Sequence, residues 1–295
     1  MMQNILHRFD DRSWAAAGDG ALTHDVEPVL ESGGVLVFPQ LPFVLLEGER
    51  RFLDPAWGDG KAKNISLRGQ NDELRGARGS AEDQAALRAM VLRFRDQAET
   101  LAARLFPHYR GRLARGNTSY RPVAVEGRAS SWRKDDTRLH VDAFPSNPTR
   151  GTRLLRVFTN LNPNGQPRQW RVAEPFEDHA RRFLPSIPKP LPVSAALLHA
   201  LRVTKALRSP YDHYMLQLHD RGKADLDYQR TAPQAAVDFA PGTTWVVFSD
   251  QVLHAAMGGQ FMMEQTFYLP PSGLLQPERA PLAVLERLLG RPLLA

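Results

Sequence analysis

The sequence lacks cysteine throughout its 295 residues. This absence excludes disulfide bonds, thiolate nucleophiles and metal sites with cysteine ligands. Long apolar runs are absent as well, since the most hydrophobic stretch, residues 34–46, is broken by two prolines and a glutamine. No membrane-spanning helix is therefore predicted. The first 20 residues carry three aspartates and no apolar segment, so they do not resemble a secretory signal.

Lysine is scarce: only six of the 38 basic residues are lysine, in a chain with a net charge of +6 and a pI near 9.8. The planar guanidinium of arginine binds carboxylates and phosphates through paired hydrogen bonds, so this bias favours an anionic ligand. Arginine codons of a GC-rich genome, with the side chains on solvated surfaces, explain the bias equally well. No nucleic-acid-binding motif accompanies the charge, so no nucleic-acid partner is predicted.

The hydrophobic pattern indicates helices in the first half of the chain and mostly strands in the second. Helices are predicted at residues 25–32, 81–106, 175–184, 193–205 and 281–289. Strands are predicted at residues 35–38, 123–125, 139–143, 152–160, 211–218, 243–248 and 264–269. The polar, glycine-bearing stretch 61–79 is interpreted as an exposed loop. Because the strands do not alternate regularly with helices, antiparallel sheets in a sandwich or barrel are favoured.

A possible metal site begins with His140 and Asp142, which are two residues apart in a predicted strand. Such residues project from the same face. A second histidine would complete a set of two imidazoles and one carboxylate, which suits non-haem Fe(II). His254, just after the predicted strand 243–248 and a turn, is one candidate. His199, His213 and His219 compete with it, and a single histidine is more often a surface or hydrogen-bonded residue.

Two arginines interrupt the apolar strand 152–160. Arg153 and Arg156 are three apart, so they face opposite sides of the strand. A buried charge is costly unless it is paired, so we expect one of them outside or at an edge and the other facing an anion inside. Arg156, with Asn160 on the same face, is predicted to face inward and bind the far carboxylate of 2-oxoglutarate. The alternative for Arg156 is an ordinary salt bridge to a neighbouring strand.

A third group of residues precedes the metal-site pair. Arg121, Arg128, Trp132 and Arg133 combine basic side chains with an indole, next to two serines. Arginine binds carboxylates, and an indole covers the apolar face of a sugar ring, so an acidic, hydroxylated substrate such as a sugar acid is favoured. A solvated loop with internal salt bridges explains the group equally well.

Several blocks of sequence, in the same order, resemble the Kdo hydroxylase family. They are GGVLVFP (33–39), LHVDAFPS (139–146), RLLRVFTNLNP (153–163), WRV (170–172), EPFE (174–177), SPYDHYM (209–215) and FSDQVLHAAM (248–257). The resemblance implies a mainly β protein with flanking helices and a double-stranded β-helix (jelly-roll, cupin-like) core. It covers residues 119–270 as that core, with residues 1–118 packed on it and a C-terminal helix in residues 271–295, all in a single domain.

The resemblance also implies an Fe(II)- and 2-oxoglutarate-dependent dioxygenase that uses O2. Such enzymes hydroxylate 3-deoxy-D-manno-oct-2-ulosonic acid (Kdo) at carbon 3, giving Ko, on the Kdo-lipid A part of lipopolysaccharide in Gram-negative bacteria. His140, Asp142 and His254 would be the iron ligands. The strand after His254 has no arginine or lysine, unlike that of many 2-oxoglutarate oxygenases, so the co-substrate carboxylate must be held elsewhere, for which Arg156 is the candidate.

A cytoplasmic enzyme that binds peripherally to the inner membrane follows from this substrate. The alternatives are a 2-oxoglutarate oxygenase for another anionic metabolite and a non-catalytic, cupin-like protein that binds a sugar acid. A zinc hydrolase with the same three ligands is disfavoured because no dedicated base lies nearby in the sequence. The sequence predicts no particular oligomeric state.

Overall fold

The computed structural model describes residues 5–15, 26–68, 71–127, 130–191 and 194–294. The strands are β1 (Leu6–Arg8), β2 (Val35–Phe38), β3 (Ile65–Arg68), β4 (Glu73–Arg75), β5 (Ala114–Arg121), β6 (Arg153–Asn160), β7 (Arg168–Ala173), β8 (Gln234–Phe239), β9 (Thr244–Phe248), β10 (His254–Gly258) and β11 (Met262–Leu269). The helices are α1 (Val26–Glu31), α2 (Ala81–Leu105), α3 (Phe176–Phe183), α4 (Ser194–Ala200), α5 (Pro210–Ala224), α6 (Leu226–Thr231) and α7 (Pro281–Leu289). Among these residues, no helix is long and apolar enough to cross a bilayer.

Two sheets form the centre of the molecule. The larger has eight strands in the order β1-β2-β9-β6-β11-β5-β3-β4, and the smaller has the order β10-β7-β8. All neighbouring strands are antiparallel except β1 and β2. The predicted mainly β architecture of the jelly-roll class is therefore confirmed, as a sandwich whose large sheet remains open. The large sheet unites strands from the N-terminal part of the chain with strands of the predicted core.

The adjacent strands β2, β9 and β6 of the large sheet bury both of their faces. In β6, Leu155 and Val157 join the core on the α2 side, whereas Phe158 joins the core between the sheets. Trp245 stacks on Phe239 with centroids 4.1 Å apart and meets Trp170 edge-on at 5.6 Å, which joins the large sheet to the small one. Burial of both faces explains why β2 and β9 are almost continuously apolar.

Helix α2 packs on the outer face of the large sheet. It begins after Ser80, whose hydroxyl accepts a hydrogen bond from the Asp83 N–H while the Asp83 carboxylate accepts one from the Ser80 N–H. Leu87, Val91 and Phe94 are fully buried along one side of the helix, at helical spacing. The predicted helix 81–106 is thus confirmed. The predictions at 25–32, 35–38, 152–160, 175–184, 243–248, 264–269 and 281–289 are confirmed within a few residues.

Five sequence-based assignments differ from the structure. Residues 123–125 form no strand, because the chain leaves β5 at Arg121, and residues 139–143 pair only through His140. The exposed loop predicted at 61–79 contains β3 and β4, since Ile65 and Leu67 bury their side chains amid polar neighbours. The predicted helix 193–205 ends at Ala200 in the structure.

The fifth difference is residues 211–218, predicted as a strand but found inside α5. Tyr211, Tyr214, Met215 and Leu218 are all buried, and their spacing is that of one helix face, not of a strand. The helix begins after Ser209, which forms a capping box with Asp212. The aromatic and apolar composition of this stretch suggested a strand. The capping box and the helical spacing of the buried side chains explain why it is a helix.

Replacing Asp212 with alanine should destabilise the fold by about 2–3 kcal/mol, because several backbone N–H groups then lose a buried acceptor. The Asp212 carboxylate accepts from the N–H groups of Thr149, Arg150 and Ser209 at 2.7, 3.0 and 2.9 Å. Asp212→Asn keeps one acceptor oxygen and serves as the matched control. Urea unfolding of both variants tests this, and equal losses would contradict it.

Candidate metal centre

Backbone pairing brings two distant histidines together. The His140 N–H donates to the His254 carbonyl at 3.0 Å, and the His254 N–H donates to the His140 carbonyl at 2.9 Å. Residues directly opposite each other in an antiparallel pair place their side chains on the same side. The two imidazole centroids consequently lie 4.7 Å apart.

Asp142 lies on the same side as the two histidines because successive side chains of an extended segment point to opposite faces. Leu139 and Val141 are fully buried in the cluster formed with α3, α5 and α7, so His140 and Asp142 point the opposite way. The Asp142 N–H donates to the Ser249 carbonyl at 2.8 Å, which fixes its backbone. One ligand atom from each of His140, Asp142 and His254 lies within 4.8 Å of the others.

The hydrogen bonds of the imidazoles leave the correct nitrogen for a metal. Nδ1 of His140 lies 2.7 Å from the Arg138 carbonyl, and Nδ1 of His254 lies 2.8 Å from the Val252 carbonyl. A carbonyl only accepts, so each Nδ1 carries the hydrogen and each Nε2 has a free lone pair when the ring is neutral. Burial holds the pKa of both rings below the usual value, which favours the neutral form.

The carboxylate is charged and has a free oxygen. Burial alone would raise the pKa of Asp142, but its charged surroundings, above all the Arg156 guanidinium, outweigh burial and lower the pKa. Its Oδ2 atom is buried and accepts no hydrogen bond within the protein, although Arg156 Nη2 lies at 3.4 Å. Two neutral imidazoles and a carboxylate with unused acceptor capacity fit the facial set of ligands that binds Fe(II).

A cavity of about 320 Å³ opens above these three residues. Its walls come from β3, β5, β6, β7, α5, β10 and β11, and they include His140, Asp142 and His254. The side chains that carry its positive charge are Lys63, Arg68, Arg121, Arg133, Arg156, Arg168 and Lys223. Three carboxylates, Asp136, Asp142 and Glu264, oppose them. The excess of cations suits an anionic ligand.

Several buried donors in the cavity wall have no acceptor within the protein. They are the Nε atoms of Arg121, Arg156 and Arg168 and the Nε1 atom of Trp170. Burial lowers the pKa of Arg168 to about 9, so this guanidinium is still charged at neutral pH. Each unsatisfied buried donor costs on the order of 1–3 kcal/mol, which a ligand with several carboxylate oxygens would offset.

The two arginines of β6, Arg153 and Arg156, lie in different environments. Arg156 faces the cavity, as predicted, and it also forms the salt bridge considered as the alternative, with Nη1 lying 3.0 Å from Glu264 Oε1. Arg153 faces the opposite way, but the expectation that it would lie outside or at an edge is wrong. It is fully buried, with Nε 2.7 Å from Asp250 Oδ2, and its guanidinium lies 4.0 Å from the Phe248 ring centroid.

Asn160 does not reach the cavity. Its amide nitrogen donates to the Phe239 and Gln166 carbonyls at 2.9 and 3.1 Å, and its Oδ1 accepts from the Asn162 N–H at 2.9 Å. It is not among the described residues that line the cavity. The predicted role in co-substrate binding is therefore corrected: Asn160 shapes the turn that follows β6, because the strand ends there.

The predicted substrate residues divide into three groups. Arg121 and Arg133 line the cavity, with Arg121 paired to Glu264 and Arg133 Nε 3.0 Å from Asp220. Trp132 stacks under Arg133 at 4.0 Å and is not among the described residues of the cavity wall. Arg128 lies outside the described residues.

Sequence reasoning missed several residues of the cavity. Glu264 is a lone acid in the apolar strand β11, a pattern that itself indicates a buried ion pair. Arg168 and Trp170 are two apart in β7 and share a face. His219, which the sequence offered only as an alternative to His254, lines the cavity with its ring 5.4 Å from that of His140. Its approach depends on α5 being a helix, which the sequence did not predict.

Comparisons with known proteins agree with this geometry. The sequence profile of the 3-deoxy-D-manno-oct-2-ulosonic acid (Kdo) hydroxylase family matches residues 13–292. A crystal structure of a Kdo hydroxylase in complex with cobalt(II), described as a non-haem Fe(II) α-ketoglutarate-dependent dioxygenase, has a TM-score of 0.95 and 48% sequence identity, covering 99% of this chain and 98% of its own.

A structure of the Kdo hydroxylase with α-ketoglutarate and Fe(III) has a TM-score of 0.93 at 48% identity and covers 98% of this chain and 97% of its own. A further structure, with succinate and Fe(III), has a TM-score of 0.94 at 47% identity, covering 99% and 98%. Among curated protein sequences, no significant match is found. A profile match over nearly the whole length, together with solved structures of almost half-identical sequence, establishes that the chain belongs to the Kdo hydroxylase family.

Proposed function

We propose that this protein hydroxylates Kdo at carbon 3, using Fe(II), 2-oxoglutarate and O2. The observation that carries the proposal is the combination of two imidazoles and a carboxylate with a cavity whose buried arginine donors have no acceptor within the protein. A metal site alone would suit many reactions, and a basic cavity alone would suit many anions. Together they fit an oxygenase that uses a dicarboxylate co-substrate. Membership of the family narrows the substrate to Kdo.

His140, Asp142 and His254 would hold the iron, and the bound iron supplies the oxygen chemistry that breaks a carbon–hydrogen bond. Arg121, Arg156, Arg168 and Trp170 would donate hydrogen bonds to the carboxylates of 2-oxoglutarate. The aromatic rings of Phe158 and Trp170, with centroids 5.3 Å apart, give the cavity wall an apolar part. In this scheme the protein binds and orients both substrates, and no side chain acts as a strong base.

The sugar would enter on the more polar side of the cavity. Lys63, Arg133 and Lys223 line it there, and Lys223 Nζ donates to the Arg133 carbonyl at 3.0 Å. These cations would pair with the Kdo carboxylate. Kdo-lipid A is the proposed substrate and the inner membrane surface the proposed location. We propose that residues 1–295 form a single dioxygenase domain.

Purified protein incubated with Kdo-lipid A, Fe(II) and 2-oxoglutarate tests the activity. We expect Kdo to gain the mass of one oxygen atom and one succinate to form per Kdo converted. Succinate release stimulated only by another anionic metabolite would contradict the sugar assignment. A protein that binds the sugar and forms no succinate with iron present would contradict the assignment as an enzyme.

Replacing Arg156 with methionine should raise the KM for 2-oxoglutarate by roughly thirty-fold, since a charge-assisted hydrogen bond contributes about 2 kcal/mol. Steady-state kinetics measures the change, and iron content measured in parallel separates it from any effect on Asp142. Arg230→Met, at a side chain that is 75% exposed, is the matched control. An unchanged KM would contradict the role of Arg156 in co-substrate binding.

A further inference from the structure

One short segment concentrates exposed apolar side chains. Ten large apolar residues are strongly exposed in the described part of the chain. Four of them, Leu197, Leu201, Val203 and Leu207, lie within residues 194–208, with exposures of 60%, 64%, 50% and 47%. We name residues 194–208 the docking segment; it consists of α4 and the turns that follow. Exposed apolar groups clustered in this way indicate an interaction surface.

The charge of the docking segment has one sign. It contains Arg202, Lys205 and Arg208 and no aspartate or glutamate. Arg202 and Lys205 are exposed, and in the part of the chain that the structure describes neither forms a salt bridge. Leucines that enter the interface and cations that meet acidic headgroups are the two components of peripheral binding to an anionic bilayer.

The docking segment is joined to the rim of the cavity. The Lys205 N–H donates to the Ser146 carbonyl at 3.0 Å, and the Arg208 guanidinium donates to the Pro145 carbonyl at 2.7 Å. Pro145 directly follows Phe144, which lines the cavity together with Asp142. A bilayer that contacts the docking segment therefore lies beside the loop that leads to the metal centre.

We infer that the docking segment binds the surface of a bilayer that contains anionic lipid. The apolar side chains enter the interface, and Arg202 and Lys205 meet the headgroups. That this binding brings a lipid-linked sugar to the cavity rests on the proposed function. The binding of the docking segment to the bilayer does not. The charge of the segment favours a lipid surface over a protein partner, because acidic headgroups are dense on such a surface.

Sedimentation of the full chain with vesicles tests the inference. We expect binding to phosphatidylcholine vesicles that contain phosphatidylglycerol, weak binding to phosphatidylcholine alone, and release at high salt. Leu197→Ser combined with Leu201→Ser should lower the partition constant by about tenfold or more. Arg202→Gln combined with Lys205→Gln should also lower the partition constant by about tenfold or more. All of these side chains are exposed, and thermal unfolding of each variant verifies that it is folded.

Two single variants provide matched controls. Leu226→Ser removes a leucine that is 65% exposed and lies between two aspartates, and Arg230→Gln removes a cation paired with Asp227. Both should bind vesicles like the unchanged protein. Equal binding to both vesicle types, or equal losses in the controls and the docking variants, would overturn the inference. Capture of the protein by a soluble partner through this segment, without vesicle binding, would also overturn it.

Activity assays separate this inference from the proposed function. The docking variants should form product from a water-soluble Kdo glycoside at the unchanged rate, and from vesicle-bound Kdo-lipid A at a rate reduced by about tenfold. Equal rates on vesicle-bound substrate would overturn the role of docking in presenting the sugar. If the unchanged protein forms no product from either substrate, the proposed function fails, and the sedimentation result still decides whether the segment binds bilayers.

Discussion

Replacing Asp142 with alanine should remove nearly all bound iron and abolish iron-dependent succinate release. Asp142 supplies the negative charge that the two neutral imidazoles lack, and its Oδ2 makes no hydrogen bond within the protein. Loss of a residue that merely orients a ligand costs roughly 10–100-fold in metal affinity or activity, so loss of a ligand should exceed that range. Iron content and single-turnover succinate release measure the effect.

Control variants distinguish loss of an iron ligand from loss of folding. Asp227→Ala removes an aspartate whose side chain is 81% exposed, and it should leave iron content and activity unchanged. His254→Ala should reproduce the loss seen for Asp142→Ala, because both residues would bind the same ion. Full activity in either ligand variant, with normal unfolding, would remove the basis of the proposed function.

Replacing Arg153 with methionine should destabilise the protein by about 3–5 kcal/mol, because it leaves the buried Asp250 carboxylate without its partner. Arg153 is fully buried, and its Nη2 also donates to Gln251 Oε1 at 2.6 Å. Asp250 and Gln251 lie just before His254, so the loop that positions this histidine should loosen as well. The free energy of unfolding in urea measures the first effect, and iron affinity measures the second.

Two further variants show whether the loss comes from the unpaired charge. Arg287→Met breaks an exposed salt bridge to Glu177, which should contribute at most about 1 kcal/mol. Arg153→Met combined with Asp250→Asn removes both charges and keeps an oxygen for the Leu154 N–H, so it should recover part of the lost stability. A loss for Arg153→Met no larger than for Arg287→Met would contradict this explanation.

The metal centre shows which parts of a site are readable from a sequence. His140 and Asp142 could be paired because two residues of one extended segment share a face, whatever the rest of the fold. His254 could not be selected from spacing alone, since its pairing with His140 is a contact between distant parts of the chain. The resemblance of the surrounding blocks selected it, and the backbone bridge now gives the physical reason.

Elsewhere, tertiary packing outweighed local composition. β3 is polar by composition, yet Ile65 and Leu67 become buried once the strand joins β5. Arg153 was expected near solvent because a buried charge is costly, but Asp250, distant in sequence, offsets that cost. In both cases the deciding partner lies far along the chain, where no local pattern can indicate it.

The backbone bridge between His140 and His254 also bears on metal selectivity. The bonds that hold His140, Asp142 and His254 in place are bonds within the protein: the bridge, the Nδ1 contacts and the Asp142 N–H. A rigid set of imidazoles and a carboxylate follows the general order of affinity of divalent metals, in which Fe(II) binds more weakly than Co(II), Ni(II) or Cu(II). If these three residues hold the iron, correct loading would depend on which divalent metals are available, and a more tightly bound Co(II), Ni(II) or Cu(II) ion would displace the iron.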